Sequence, residues 1–85
     1  MKIISFLLVI TFGLYANCES GHWIQEVSGN GSVVILEDGS VWKISSIDTI
    51  TSTLWLPTTE ITSCDDKLIN MDDNEIVEAI KLRSS

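Results

Sequence analysis

From His22 onward, apolar residues come in short runs separated by Gly, Asn, Asp, Ser and Thr, with turn signals about every ten positions and no sustained 3.6-residue repeat. This pattern predicts an all-β fold of five or six antiparallel strands, a meander closing into a small barrel. The first strand is expected at His22 to Ser28, followed by a tight turn at Gly29-Asn30-Gly31, where Asn-Gly favours positive φ. Val33 to Glu37 and Ser40 to Ser45 form the next two strands around Asp38-Gly39. A two-residue loop there pairs Leu36 with Val41 and Ile35 with Trp42, which places Val33, Ile35, Trp42 and Ile44 on the core face and leaves Val34, Leu36, Val41 and Lys43 opposite. Apolar residues on both faces suggest a strongly curled sheet that covers part of its own surface.

The stretch Ser45 to Ser63 is different in kind, since ten of its nineteen residues are Ser or Thr. Pro57 denies a ladder hydrogen bond, so an irregular crossover closed by Trp55 is expected, leading to strands at about Glu60 to Cys64, Lys67 to Met71 and Glu75 to Arg83. In the last of these Ile76, Glu78, Ile80 and Leu82 share one face, and Val77, Ala79 and Lys81 the other. A helix competes for that segment, but its β-branched residues and the preceding Asp72-Asp73-Asn74 turn favour a strand.

Residues 1–16 change the size of the problem. Lys2, the apolar run Ile3 to Phe12 and the small residue Ala16 make a cleavable signal peptide, whereas Asn17, Cys18 and Glu19 arrive too soon for a membrane span, which needs roughly 18 or more apolar residues. Cleavage before Asn17 leaves 69 of 85 residues, read as a flexible segment at 17–21 and a barrel domain at 22–83. A core this small rarely supplies more than about 3–5 kcal/mol, so a staple is wanted. Cys18 and Cys64 are the two cysteines of the chain, and an oxidising compartment favours their pairing. Two alternatives stand beside the disulfide: free thiols, and lipidation of Cys18, for which Tyr15-Ala16-Asn17 is a poor acylation site. The destination is periplasmic or secreted, with membrane attachment only through a lipid on Cys18.

The run Val33-Val34-Ile35-Leu36-Glu37-Asp38-Gly39-Ser40-Val41-Trp42, with Leu54-Trp55-Leu56-Pro57 and Lys67-Leu68-Ile69-Asn70 downstream, resembles a group of uncharacterised small exported bacterial proteins. They share an L-E-D-G-S-x-W hairpin, a later W-x-P/G corner and a final L-I-N strand. The likeness covers His22 to Arg83, and it implies an SH3-like barrel of the cell envelope with no catalytic residue to carry over.

Candidate chemistry is sparse. Once Lys2 is removed, four basic residues face twelve acidic ones, a net charge of −8 that argues against nucleic acid as a partner. One histidine and two cysteines do not make a closed zinc site, which takes four ligands at short spacings, so no metal or cofactor is expected. Asp65-Asp66 and Asp72-Asp73-Asn74-Glu75 lack the spacing of a calcium loop and read as turns. Asn30-Gly31-Ser32 matches a glycosylation acceptor, but a hairpin turn accounts for it in a bacterial envelope protein. Trp42 belongs to the core, whereas Trp23 and Trp55 are the candidate ligand contacts, since an indole face stacks on sugars, prolines and cations. The expected function is a non-catalytic envelope module that binds a protein or cell-wall component. A second reading makes it an acidic inhibitor of a basic secreted enzyme, and a third a structural envelope lipoprotein.

Overall fold

The computed structural model describes residues 17–85, so the signal-peptide reading of 1–16 lies outside the described residues. Six strands form a closed antiparallel barrel: β1 (Glu19–Ser28), β2 (Val33–Leu36), β3 (Val41–Ile44), β4 (Glu60–Ser63), β5 (Lys67–Asn70) and β6 (Glu75–Arg83). The order around the barrel is β1-β2-β3-β6-β5-β4. Strand number and antiparallel closure are as the sequence pattern predicts. The connectivity is two three-stranded meanders joined through the crossover, rather than one continuous meander. Long strands make this closure possible. The first part of β1 pairs with β4 and the rest with β2, and β6 likewise passes from β5 to β3, with register shifts in β1 and opposite Val41 that let the strands bend. Closure gives each of the six strands two neighbours.

The β2–β3 hairpin corrects the expected register. Its loop has three residues, Glu37-Asp38-Gly39: the Gly39 amide donates to the Leu36 carbonyl at 2.9 Å, and Leu36 N–H donates to the Ser40 carbonyl at 3.0 Å. Gly39 takes φ 87°, the left-handed conformation that follows a type I turn in a three-residue hairpin. The extra residue shifts the pairing by one, to Val33 with Lys43, Val34 with Trp42 and Ile35 with Val41. A one-residue slip exchanges the faces, so Val34 and Leu36 enter the core while Val33 and Ile35 turn outward; Trp42 and Ile44 stay inside as expected.

The core contains Ile24, Val34, Leu36, Trp42, Ile44, Trp55, Ile61, Leu68, Val77 and Ala79. The indole N–H of Trp42 donates to Ser40 Oγ at 3.0 Å, and Ser40 Oγ donates to Asp38 Oδ1 at 2.7 Å, so the buried ring is satisfied by a hydroxyl that leads out to the hairpin carboxylate. Asn70, fully buried at the end of β5, accepts the Asp73 amide at 2.9 Å and fixes the β5–β6 turn, in which Asn74 adopts φ 61°.

The crossover is more ordered than its Ser and Thr content suggests. It contains a 3-10 turn at Ser46–Asp48 and a one-turn helix, α1 (Thr49–Ser52). Three side chains pin it: Asp48 Oδ2 accepts the Glu78 amide at 2.8 Å, Ser52 Oγ donates to the Gly31 carbonyl at 2.6 Å, and Trp55 Nε1 donates to Glu75 Oε1 at 2.8 Å. No helix of the described residues is long and apolar enough to cross a membrane.

Cys18 and Cys64 form a disulfide across 46 residues, tying the start of β1 to the end of β4. The bridge explains why β1 begins at Glu19, three residues before the expected start, and why part of the 17–21 segment is strand rather than a flexible tail. It also spends the Cys18 sulfur, which is therefore not available for a thioether lipid, and it fits an oxidising compartment.

Candidate functional site

The densest group of titratable side chains forms where β1 passes the β2–β3 hairpin. Pairing of Ile24 with Leu36 carries the following residue, Glu37, alongside Trp23, and the Glu37 amide donates to the Trp23 carbonyl at 3.0 Å. In return Trp23 N–H donates to Glu37 Oε1 at 2.9 Å. The second Glu37 oxygen, Oε2, lies 2.8 Å from His22 Nδ1, and Asp38 Oδ2 lies 4.0 Å from the same nitrogen. On the other side of the ring, His22 Nε2 is 3.2 Å from Glu19 Oε1. The Asp38 carboxylate is held from behind, because its Oδ1 accepts both Ser40 N–H at 2.9 Å and Ser40 Oγ–H at 2.7 Å.

Charge and burial oppose each other at this point. Burial of His22 disfavours its cation, but hydrogen bonds to Glu37 and Glu19, with the field of Glu37 and Asp38, outweigh that cost and raise its pKa above the ordinary 6.5. Burial likewise works against the Asp38 anion. The Ser40 hydrogen bonds and the nearby charges of His22 and Lys81 prevail, so its pKa falls below 3.8. The linkage signs follow. The stabilisation from His22 is complete below its unfolded pKa of about 6.5 and is lost as pH rises through the higher folded value. That from Asp38 is present above about 3.9 and is lost as pH falls through the lower folded value. Without added metal ions, thermal melts are expected to be highest between these limits and to fall on the alkaline side, and His22→Gln is expected to flatten that alkaline limb. A limb of equal slope in both proteins would contradict the assignment.

Trp23 stands beside this group as a candidate contact, 49% exposed, at a pocket shared with Gly21, His22, Thr58 and Glu60. Trp55 is different. At 4% exposure, within the core cluster and with its N–H on Glu75, it offers little surface to a ligand, unlike the contact expected from the sequence. Lys81 adds a cation 5.4 Å from the Trp42 ring centroid, a contact that sequence spacing did not indicate.

The sequence reading missed the carboxylate pair around His22. Glu37 and Asp38 are 15 and 16 residues downstream, and they meet the imidazole through the β1–β2 pairing and the three-residue loop. The E-D-G-S run was the available signal: Gly after a type I turn predicts that loop, and with it the position of Glu37. Comparison with family models, curated proteins and solved structures finds no match to this chain.

Proposed function

We propose that this protein is an exported, non-catalytic binding module that docks a basic protein partner along the outer face of β6. The observation that carries the reading is the outward row Ile76, Ile80 and Leu82, each more than half exposed on a strand whose inner row, Val77 and Ala79, already fills its share of the core. Exposed apolar rows of this kind mark interaction surfaces. Neighbouring strands extend it, since Ile69 pairs with Ile76 and Lys43 with Ile80. A groove of about 670 Å³ between β6 and the crossover adds Thr49 and the exposed carboxylates of Asp66 and Glu78 beside Ile80. The face itself carries both signs, Asp66 and Glu78 beside Lys43 and Lys67, and the preference for a basic partner comes from the net charge of −8 on residues 17–85 (four basic, twelve acidic), which steers such a partner inward from solution.

Chemistry gives the non-catalytic part its support. Both thiols of the chain are joined in the disulfide, so neither is free to act as a nucleophile. The pairing of Cys18 with Cys64 supports export, because such bridges persist in oxidising compartments.

The test is comparative capture of exported host proteins on the immobilised wild type and on Ile80→Asp, with sedimentation of the free protein alongside. The expected result is a basic protein retained by the wild type at low salt, released at moderate salt and absent from Ile80→Asp, whose circular dichroism stays native. Identical capture by both proteins would overturn the surface. A dimer in sedimentation that Ile80→Asp dissolves would assign the face to a second copy instead.

A further inference from the structure

We infer that His22 Nδ1, Glu37 Oε2 and Asp38 Oδ2 form a binding site for one divalent transition-metal ion of zinc type. These three ligand atoms lie within 4.8 Å of one another, and bonds of about 2.0–2.2 Å hold donors no more than about 4.4 Å apart, so a small inward turn of the two carboxylates brings all three onto one ion. The donor set is one imidazole nitrogen and two carboxylate oxygens, which suits zinc and its neighbours, whereas calcium and magnesium prefer all-oxygen shells with more ligands.

The groups behind the ligands are arranged as a metal site requires. Metal-bound histidines donate their other N–H to a carboxylate, and here Nε2 faces Glu19 Oε1 at 3.2 Å, which leaves Nδ1 as the ligand atom. The non-ligating oxygen of each carboxylate is also fixed: Glu37 Oε1 by Trp23 N–H, and Asp38 Oδ1 by the Ser40 amide and hydroxyl. Ser40 is itself anchored by the buried Trp42 indole, so the site is tied to the core through Asp38. The two acidic ligands turn their inward oxygens toward His22, and an ion entering there replaces the 2.8 Å hydrogen bond between Nδ1 and Glu37 Oε2. Side-chain exposures of 15% for His22, 20% for Glu37 and 33% for Asp38 shelter the ligands while leaving an approach from solvent. The ion would neutralise two carboxylates in a chain of net charge −7 and keep its remaining coordination positions for water or for a group on a partner.

The experiment is a calorimetric titration of the oxidised protein with zinc chloride at pH 7.5, with the nitrogen-15 resonances of the His22 ring followed in parallel. One ion per chain is expected, with the Nδ1 resonance moving on binding and calcium chloride producing no such change. Glu19→Gln, which alters the partner behind the ligand, is expected to weaken affinity about 10-fold, and His22→Ala by about 100-fold or more. Asp73→Asn, whose carboxylate meets Asn70 in the β5–β6 turn, is expected to bind as the wild type does. Unmoved His22 resonances at millimolar zinc would overturn the inference, and so would equal affinity in folded His22→Ala. The ring measurement uses the unaltered protein and decides the matter even where a variant fails to fold.

Discussion

Cys18→Ser is expected to lower the unfolding free energy by about 4 kcal/mol. The bridge closes 46 residues, and the chain-entropy model assigns a loop of that length about this much stabilisation through restriction of the unfolded chain. Against a core that by itself supplies about 3–5 kcal/mol, the loss is decisive. Serine was chosen because Cys18 is only half-buried, so the variant removes the tie with little change in packing, whereas Cys64 is buried against the barrel. Urea titration of the oxidised wild type, the reduced wild type and Cys18→Ser checks the expectation. The last two should unfold at similar, much lower urea concentrations, and a midpoint unchanged by reduction would show that the barrel stands without its staple.

The second large effect is expected at Gly31. Its φ of 91° disfavours any side chain, and a Cβ there would lie 2.6 Å from both Thr49 O and Thr53 N, backbone atoms of the crossover. The close approach is the same one that lets Ser52 Oγ reach the Gly31 carbonyl. Backbone strain of about 1–3 kcal/mol therefore adds to an overpacking cost of about 1–3 kcal/mol, and Gly31→Ala is expected to lose roughly 3 kcal/mol. Gly21→Ala is the control, since Gly21 has φ 84° but nothing within 4 Å of its added Cβ. It should show the backbone cost alone, about 1 kcal/mol. In a domain this size each kcal/mol moves the melting temperature by roughly 4–8 °C, so the two variants separate clearly. Equal melting temperatures would mean that the crossover does not press on the β1–β2 loop.

Much of the barrel was legible because its signals are local. Period-2 alternation and turn residues placed all six strands within a few residues of their ends, and Asn30 and Gly31 take the positive φ values that the Asn-Gly pair foretold. What alternation does not carry is register. Leu36 and Ile35 are equally apolar, so the loop length alone decides which one enters the core, and Glu37-Asp38-Gly39 folds as three residues. Closure was similarly hidden, because the pairing of β3 with β6 joins segments more than thirty residues apart, and nothing in either strand names its partner. For the candidate site the consequence was direct. The imidazole was visible as a lone residue, and its meeting with two carboxylates depends on the misread loop.

Trp23 and Trp55 show the same limit from another side. Both stand near small polar residues in sequence, yet Glu75, arriving from β6, gives the Trp55 N–H a partner inside the fold and leaves Trp23 the exposed indole. Burial of an aromatic depends on which distant strand covers it. The outward row of β6 was visible as a face in the sequence, and its exposure became definite once Val77 and Ala79 were found lining the core.

Closure of the barrel through β3–β6 and β1–β4 underlies the site, the docking face and the effect of the disulfide alike. Cross-strand nuclear Overhauser contacts test it most directly. Contacts linking Ile44 with Ala79, Lys43 with Ile80, and His22 with Ile61 are the predicted result, together with slow amide exchange along both seams. A set of contacts in which β6 pairs with β5 alone, and the β3 amides exchange freely, would contradict the account.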